Sequence, residues 1–316
     1  MNAINDEKIT SIDKIKESLK EVEYICSKHI ATTLYLSFQL NKPVLVEGPA
    51  GVGKTELAKK TAEFLNIPLV RLQCYEGLDE TKALYEWKYG KQLLYTQILK
   101  DKLNDVVRGE NGLRESIEAL HRYDDIFFSR QFLEPRPLLT ALQKKEGCVL
   151  LIDEIDKSDD EFEAFLLEIL SDFQVSIPEI GTITAESMPL VFLTSNNTRE
   201  LSDALKRRCI HLFIPFPESQ LEREVINIKV PDISEKLRIQ LVDFIQQIRK
   251  LNVKKIPSIS ETIDWARVLL LLHADTLNSD LVRKTLHVIL KFQTDIDVVS
   301  ENIHDLTQHA VREAGG

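Results

Sequence analysis

The sequence predicts an α/β protein: a five-stranded parallel sheet flanked by helices, followed by a smaller all-helical domain. Three observations predict it. Five short apolar runs, at 43–47, 67–74, 147–156, 189–197 and 209–217, are interspersed with stretches of helical spacing, the pattern of strands joined by crossover helices. The middle run, "GCVLLIDEID", is apolar throughout its centre, which suits a strand covered on both faces. Beyond about residue 218 no comparable run occurs and only helical patterns remain. The expected division is therefore 1–217 and 218–316, with Pro215 and Pro217 punctuating the junction.

Taken in order, residues 8–40 read as helical, with Ile12, Ile15, Leu19, Val22, Tyr24 and Ile25 on a loose apolar face. "PVLVE" (43–47) then suits a short buried strand, and "ELAKKTAEFL" (56–65) has helical spacing. "IPLVRLQC" (67–74) is the second strand. Residues 76–147 break the alternation and read as an insertion, which opens with "YEGLDETKALYEWKYGKQLLYTQ" and continues as a charged helical stretch. After the third strand, "DEFEAFLLEILSDF" (160–173) places Phe162, Phe165, Leu166, Ile169 and Phe173 on one helical face. "PLVFLTSNN" and "CIHLFIPFP" supply the fourth and fifth strands. No repeat or low-complexity segment interrupts the pattern.

The net charge of -10 argues against a broad nucleic-acid surface. No apolar run approaches the roughly 18 residues that span a bilayer, and the charged N-terminus lacks a signal-peptide core. Cys26, Cys74, Cys148 and Cys209 lie far apart and form no CxxC pair, so buried reduced thiols are favoured over a metal site. The expected compartment is cytoplasmic, without membrane attachment.

The chemistry is concentrated in "VLVEGPAGVGKTELAKK", where three of the chain's 11 glycines fall within six residues. Gly48, Pro49, Ala50, Gly51, Val52, Gly53, Lys54 and Thr55 match GxxxxGK[ST] in full, with Glu56 next. A phosphate chain needs backbone N–H groups turned inward, and glycines permit both the dihedrals and the close approach. The helix that follows aims its positive end at the same anion. Lys54 is placed for the β- and γ-phosphates and Thr55 for Mg²⁺. Together with the strands, this motif makes the expected sheet that of a P-loop NTPase, with ATP and Mg²⁺ as the expected ligands.

Asp153 ends the third strand, at the edge where open α/β sheets bind ligands, and is placed to organise Mg²⁺. Glu154, the next residue, is the candidate general base for an attacking water. Asn196 ends the fourth strand as a neutral donor for that water or the γ-phosphate. Arg207 and Arg208, just before the fifth strand, offer a guanidinium for a neighbouring subunit's γ-phosphate; sequence does not choose between them.

In this order the four segments resemble the AAA+ ATPase superfamily: "GPAGVGKT" its Walker A, "VLLIDE" its Walker B, "TSN" its sensor 1 and "ALKRRC" its arginine-finger segment. The likeness spans residues 42 to 217, and a helical lid would account for the rest. "DEIDKSDDEFEAFLLEIL" resembles the MoxR branch, with "DFQVSIPEIGTITAESMPLVFLTSNN" as the hairpin before sensor 1. "RLQCYEGLDETKALYEWKYGKQLL" and "PSISETIDWARVLLLL" look most like CoxD-type members. The resemblance implies a homo-hexamer, a partner with a von Willebrand factor A domain, and a chaperone-like motor that remodels a client or assists cofactor insertion. Because CoxD-type members are associated with maturation of a molybdenum- and copper-containing dehydrogenase, the implied client is a molybdoenzyme.

The lid segment "PSISET" departs from the related "GASPRA" in having no arginine. Ser258 and Glu261 fit a capping box instead. Arg267, further along that helix, is the candidate nucleotide sensor in its place, with a plain surface arginine as the alternative. Tyr85, Trp87, Tyr89 and Tyr95, interleaved with Lys88 and Lys91, suit either packing of the insertion or a client-gripping loop; packing is favoured. Arg130 and Arg136 are read as surface charge, with contact to a neighbouring subunit's nucleotide as the alternative. His304 and His309, five apart, miss a shared helix face and make no metal pair. Three rivals remain: a DNA-acting AAA+ subunit of restriction or loader type, a P-loop kinase, and a GTPase switch. The net charge opposes the first, Glu154 beside Asp153 the second, and the lack of an NKxD motif the third.

Overall fold

Residues 8–95, 97, 129–178 and 180–314 are described by the computed structural model. Five strands form one sheet: β1 (Val44–Glu47), β2 (Leu69–Gln73), β5 (Val149–Asp153), β8 (Leu190–Ser195) and β9 (Ile210–Phe213). Their order is β2-β5-β8-β1-β9 and every pairing is parallel. The expected five-stranded P-loop sheet, flanked by helices and followed by a helical region, is the observed one.

The central strands β1, β5 and β8 are buried on both faces. In β5, Val149 and Leu151 join one core cluster and Leu150 and Ile152 the other, which explains the unbroken apolar run. Helices α1 (Ile12–Glu21), α2 (Lys28–Leu40) and α3 (Lys54–Leu65) have core residues in the first cluster. Helices α5 (Pro137–Leu142), α6 (Asp160–Asp172) and α7 (Asp203–Arg208) have core residues in the second. Phe162, Leu166 and Ile169 of α6 are buried as their spacing requires.

The stretch 8–40, read as helical, holds two helices, α1 and α2. Glu23 adopts φ 63, and the side chain of Ser27 accepts a hydrogen bond from Ile30 N to start α2. No glycine advertises that break. Tyr24 and Ile25, placed by periodicity on a helix face, lie in the connection instead and line a cavity.

Within the expected insertion, α4 (Glu80–Ala83) leads into β3 (Tyr85–Trp87), which pairs antiparallel with β4 (Leu133–Pro135). Tyr85 and Trp87 meet edge to face at 5.8 Å and pack against the sheet's core. Tyr89 is exposed, and Arg136 pairs with Glu86. The charged helical stretch read beyond Tyr95 falls outside the described residues, apart from Gln97. A second hairpin, β6 (Gln174–Ile177) with β7 (Gly181–Thr184), precedes β8.

From residue 219 on, the described residues form six helices: α8 (Ser219–Lys229), α9 (Glu235–Ile248), α10 (Ile259–Leu271), α11 (Ser279–Ile289), α12 (Gln293–Glu301) and α13 (Ile303–Glu313). They share their own core, in which Trp265 and Phe244 rings lie 5.3 Å apart and Trp265 Nε1 donates to Thr285 Oγ1 at 2.9 Å. A buried ion pair within this region also holds the connection that leads out of β9. Arg249 donates to both carboxylate oxygens of Glu222 at 2.7 Å, and also to the carbonyls of Pro257 (2.9 Å) and Pro217 (3.3 Å). Thr262 and Gln246 complete the shell around Glu222, each donating at 2.8 Å. His304 contacts Gln308, and His309 contacts Asp243.

All four cysteines are free. Burial pushes the Cys26 thiol up to about 11 and those of Cys74, Cys148 and Cys209 up to about 12. No described helix is long and apolar enough to cross a membrane.

Candidate functional site

The loop between β1 and α3 wraps against two neighbours that leave no space for side chains. A Cβ on Gly48 would fall 2.2 Å from the carbonyl oxygen of Ile214. One on Gly51, where φ is +77, would fall 2.2 Å from Ser258 Oγ. The loop is thus pressed between the chain's exit from β9 and the start of α10. Ser260 Oγ adds a hydrogen bond to the Gly51 carbonyl at 3.2 Å.

Lys54 begins α3 and is buried. Its ammonium donates to the carbonyls of Gly48 (2.8 Å) and Pro49 (2.7 Å) and to Asn196 Oδ1 (2.7 Å). Burial lowers its pKa, while the carboxylates of Asp156, Asp153 and Glu154 act in the opposite sense. A cation so placed, amid carboxylates, is suited to receive a phosphate.

Register brings the acidic residues alongside. Gln73 pairs with Asp153 across β2 and β5, and Ile152 with Leu193 across β5 and β8. Asp153 Oδ1 accepts from Thr55 Oγ1 at 2.9 Å and from Thr194 Oγ1 at 2.5 Å. Asp153 Oδ2 accepts from Arg71 at 2.6 and 3.0 Å. The Thr55 hydroxyl beside a carboxylate oxygen is the hard-oxygen donor set that Mg²⁺ takes. No group of three His, Cys, Asp or Glu side chains suited to a metal occurs among the described residues.

Glu154 sits at the turn out of β5 with φ 58. Gln73 Nε2 donates to its Oε2 at 2.8 Å, as does Lys157 Nζ at 2.6 Å. Asn196 Nδ2 reaches its Oε1 at 3.4 Å. The Asn196 amide thus spans the lysine and the glutamate.

Two cavities meet at this loop. One, of about 270 Å³, is lined by Lys54, Thr55, Asp153, Glu154, Asn196 and the loop glycines Gly51 and Gly53. The other, of about 440 Å³, lies between the sheet region and the C-terminal helices; Tyr24, Ile25, Val52, Ile214, Leu221 and Ile263 give it apolar walls. Gly51, Gly53, Glu56 and Ser260 border both. A polar compartment for phosphates thus adjoins an apolar one fit for a base.

Lys54, Thr55, Asp153, Glu154 and Asn196 are brought together. Arg207 and Arg208 are not: both are exposed on α7, and Arg208 donates to Ser171 Oγ at 2.7 Å. Arg267 lines the apolar compartment rather than the polar one, is 58% exposed and lies 3.6 Å from Asp264. The capping box expected from Ser258 and Glu261 is present.

The sequence model of the AAA domain, dynein-related subfamily, matches residues 43–209, more than half of the chain. The chain belongs to this AAA family. Membership implies a nucleotide-binding domain with ATPase activity. Among curated relatives, an uncharacterized protein of Staphylococcus epidermidis is 27% identical over 222 residues, covering 68% of each chain. An uncharacterized protein of Staphylococcus aureus is 25% identical over 240 residues, covering 74% of this AAA chain and 77% of its own. Among solved structures, a variant of RuvB from Thermotoga maritima aligns with a TM-score of 0.47 at 22% identity, over 88% of this AAA chain and 72% of that one. The RuvB Holliday junction branch migration motor of the same organism aligns with a TM-score of 0.42 at 20% identity, over 88% and 71%.

Arg71, Gln73, Thr194 and Asp156 also belong to the site of this AAA protein; Thr194 and Asp156 stand inside quoted motifs that assign them no role of their own, and Arg71 and Gln73 lie outside the four site motifs. A signal existed for two: Arg71 and Gln73 alternate with Val70, Leu72 and Cys74, so both polar residues leave one face of an otherwise apolar strand.

Proposed function

We propose that this protein is a Mg²⁺-dependent ATPase that works as a chaperone-like motor, remodelling a client protein as the MoxR and CoxD-type chains it resembles are expected to do. The observation that carries the reading is the Asn196 amide held between Lys54 and Glu154, beside the Thr55–Asp153 pair. Loop amides and Lys54 bind the phosphates. Thr55 and Asp153 would hold the Mg²⁺, which supplies charge neutralisation of the phosphates when bound. Glu154 takes the proton of the attacking water and Asn196 orients that water. Arg207 or Arg208, free of the polar compartment in its own chain, serves a neighbour's site in a homo-hexamer. Movement of the C-terminal helices against the loop is the mechanical output. A partner with a von Willebrand factor A domain and a molybdoenzyme client are part of the same proposal, since they come with the CoxD likeness.

Phosphate release from ATP and Mg²⁺ without any added acceptor tests the reaction and separates it from a kinase. Lys54→Ala should abolish both binding and release. A chain that transfers phosphate only to an added acceptor, or that prefers GTP in competition, would overturn the assignment. Salt-sensitive DNA binding by the assembled protein would favour a DNA-acting subunit instead.

A further inference from the structure

Asp156 lies in the turn 155–157 that follows Glu154, and its side chain is buried. One oxygen, Oδ2, accepts three hydrogen bonds: from Asn196 N at 3.2 Å, Thr198 N at 3.0 Å and Thr198 Oγ1 at 2.6 Å. The other, Oδ1, is buried with no hydrogen-bond partner. A buried carboxylate costs free energy that an apolar side chain of similar size would not, and a bare buried oxygen adds to the cost. The clamp on the chain at 196–198 is what offsets it. Between its two anchored amides, Asn197 takes φ 60, a turn that asparagine tolerates better than most residues. This turn aims the Asn196 amide, with Oδ1 on Lys54 Nζ at 2.7 Å and Nδ2 toward Glu154 Oε1 at 3.4 Å. Glu154 and Asp156 are two residues apart in one tight turn, so the anchor and the base share a single rigid mount.

We propose that Asp156 is a positioning residue for ATP hydrolysis: it clamps the main chain at Asn196 and Thr198 so that the Asn196 amide meets the water held by Glu154. This rests on the reading of Glu154 and Asn196 given above. Asp156 does not line the polar compartment and acts through Asn196. Its loss leaves nucleotide binding in place and misaims the amide.

The test measures kcat, KM, affinity for a fluorescent ATP analogue, and affinity for ADP with aluminium fluoride, in the wild type, Asp156→Ala, Asn196→Ala and the double variant. Asp156→Ala should lower kcat roughly ten- to hundredfold, the loss expected for a misplaced group. KM and analogue affinity should stay within about threefold, since ground-state contacts remain. Affinity for the aluminium fluoride complex should fall with kcat. The double variant should be no slower than Asn196→Ala within about threefold, because the two residues act as one unit. Asp156→Asn can present its amide oxygen to the same three donors, and should recover to within about fivefold of wild type. Should Asp156→Ala fail to fold, Thr198→Val removes a single donor and should lower kcat with KM unchanged. Wild-type kcat in Asp156→Ala, lost analogue affinity at unchanged kcat, or multiplied losses in the double variant would overturn the proposal. The parent reading fails separately: there the wild type releases no phosphate, or Glu154→Gln turns over at the wild-type rate.

Discussion

Glu154 and Lys54 face each other through one asparagine, and each makes a different failure when removed. Glu154→Gln keeps the shape of the side chain and its contact with Asn196 but cannot take a proton. It should bind ATP as tightly as wild type and lower turnover by at least about a hundredfold. A nucleotide-binding titration beside a phosphate-release assay checks this, and turnover at the normal rate would move the base elsewhere. Gly51→Ala tests the loop in another way. The backbone at φ +77 costs an L side chain roughly 1–2 kcal/mol, and the new methyl must displace Ser258. Nucleotide affinity and thermal stability should both fall. Adding Ser258→Ala should restore only the part due to the collision. At this scale Lys54, Thr55, Asp153, Glu154 and Asn196 were legible in the sequence, because each sits in a short contiguous motif. Arg71 was not, nor were the roles of Thr194 and Asp156, although both stand inside quoted motifs. Their partners stand 82, 41 and 40 to 42 positions away, and only strand register decides which of them meet.

The five strands were legible as apolar runs because a doubly covered parallel sheet demands continuous apolarity. The break between α1 and α2 was not, since Glu23 takes its positive φ without the glycine that usually marks one. Helix α10 was announced by its capping box, and the same box supplies the Ser258 that rests on Gly51. Ser258→Ala should lower stability by about 1 kcal/mol through the lost cap. Helix α10 also buries Trp265, against Phe244 and the Thr285 hydroxyl. Trp265→Ala should cost roughly 3–5 kcal/mol and unfold the C-terminal helices at lower denaturant than the sheet. Denaturation followed by far-UV circular dichroism, for all helices, and by fluorescence of the remaining Trp87, which packs against the sheet's core, separates the two regions.

Across the molecule, the polar compartment is built within one chain, whereas Arg207 and Arg208 lie outside it. The proposed assembly predicts that Arg208→Ala binds ATP normally yet loses activity at the concentrations where the wild type associates. Sedimentation alongside the ATPase assay measures both, and unchanged activity would shift the role to Arg207 or elsewhere. The bond between Glu222 and Arg249 belongs to this scale too. Arg249→Met would strand a buried carboxylate, at a cost of roughly 3–5 kcal/mol. Pairing it with Glu222→Gln should recover much of that loss.

Arg249 holds the carbonyl of Pro217, where the chain leaves the sheet, and that of Pro257, one residue before the cap on Gly51. One side chain therefore fastens the connection after β9 to the segment that opens α10, which itself rests on the phosphate loop. In the proposed motor, a displacement of that loop would reach the C-terminal helices through this single guanidinium.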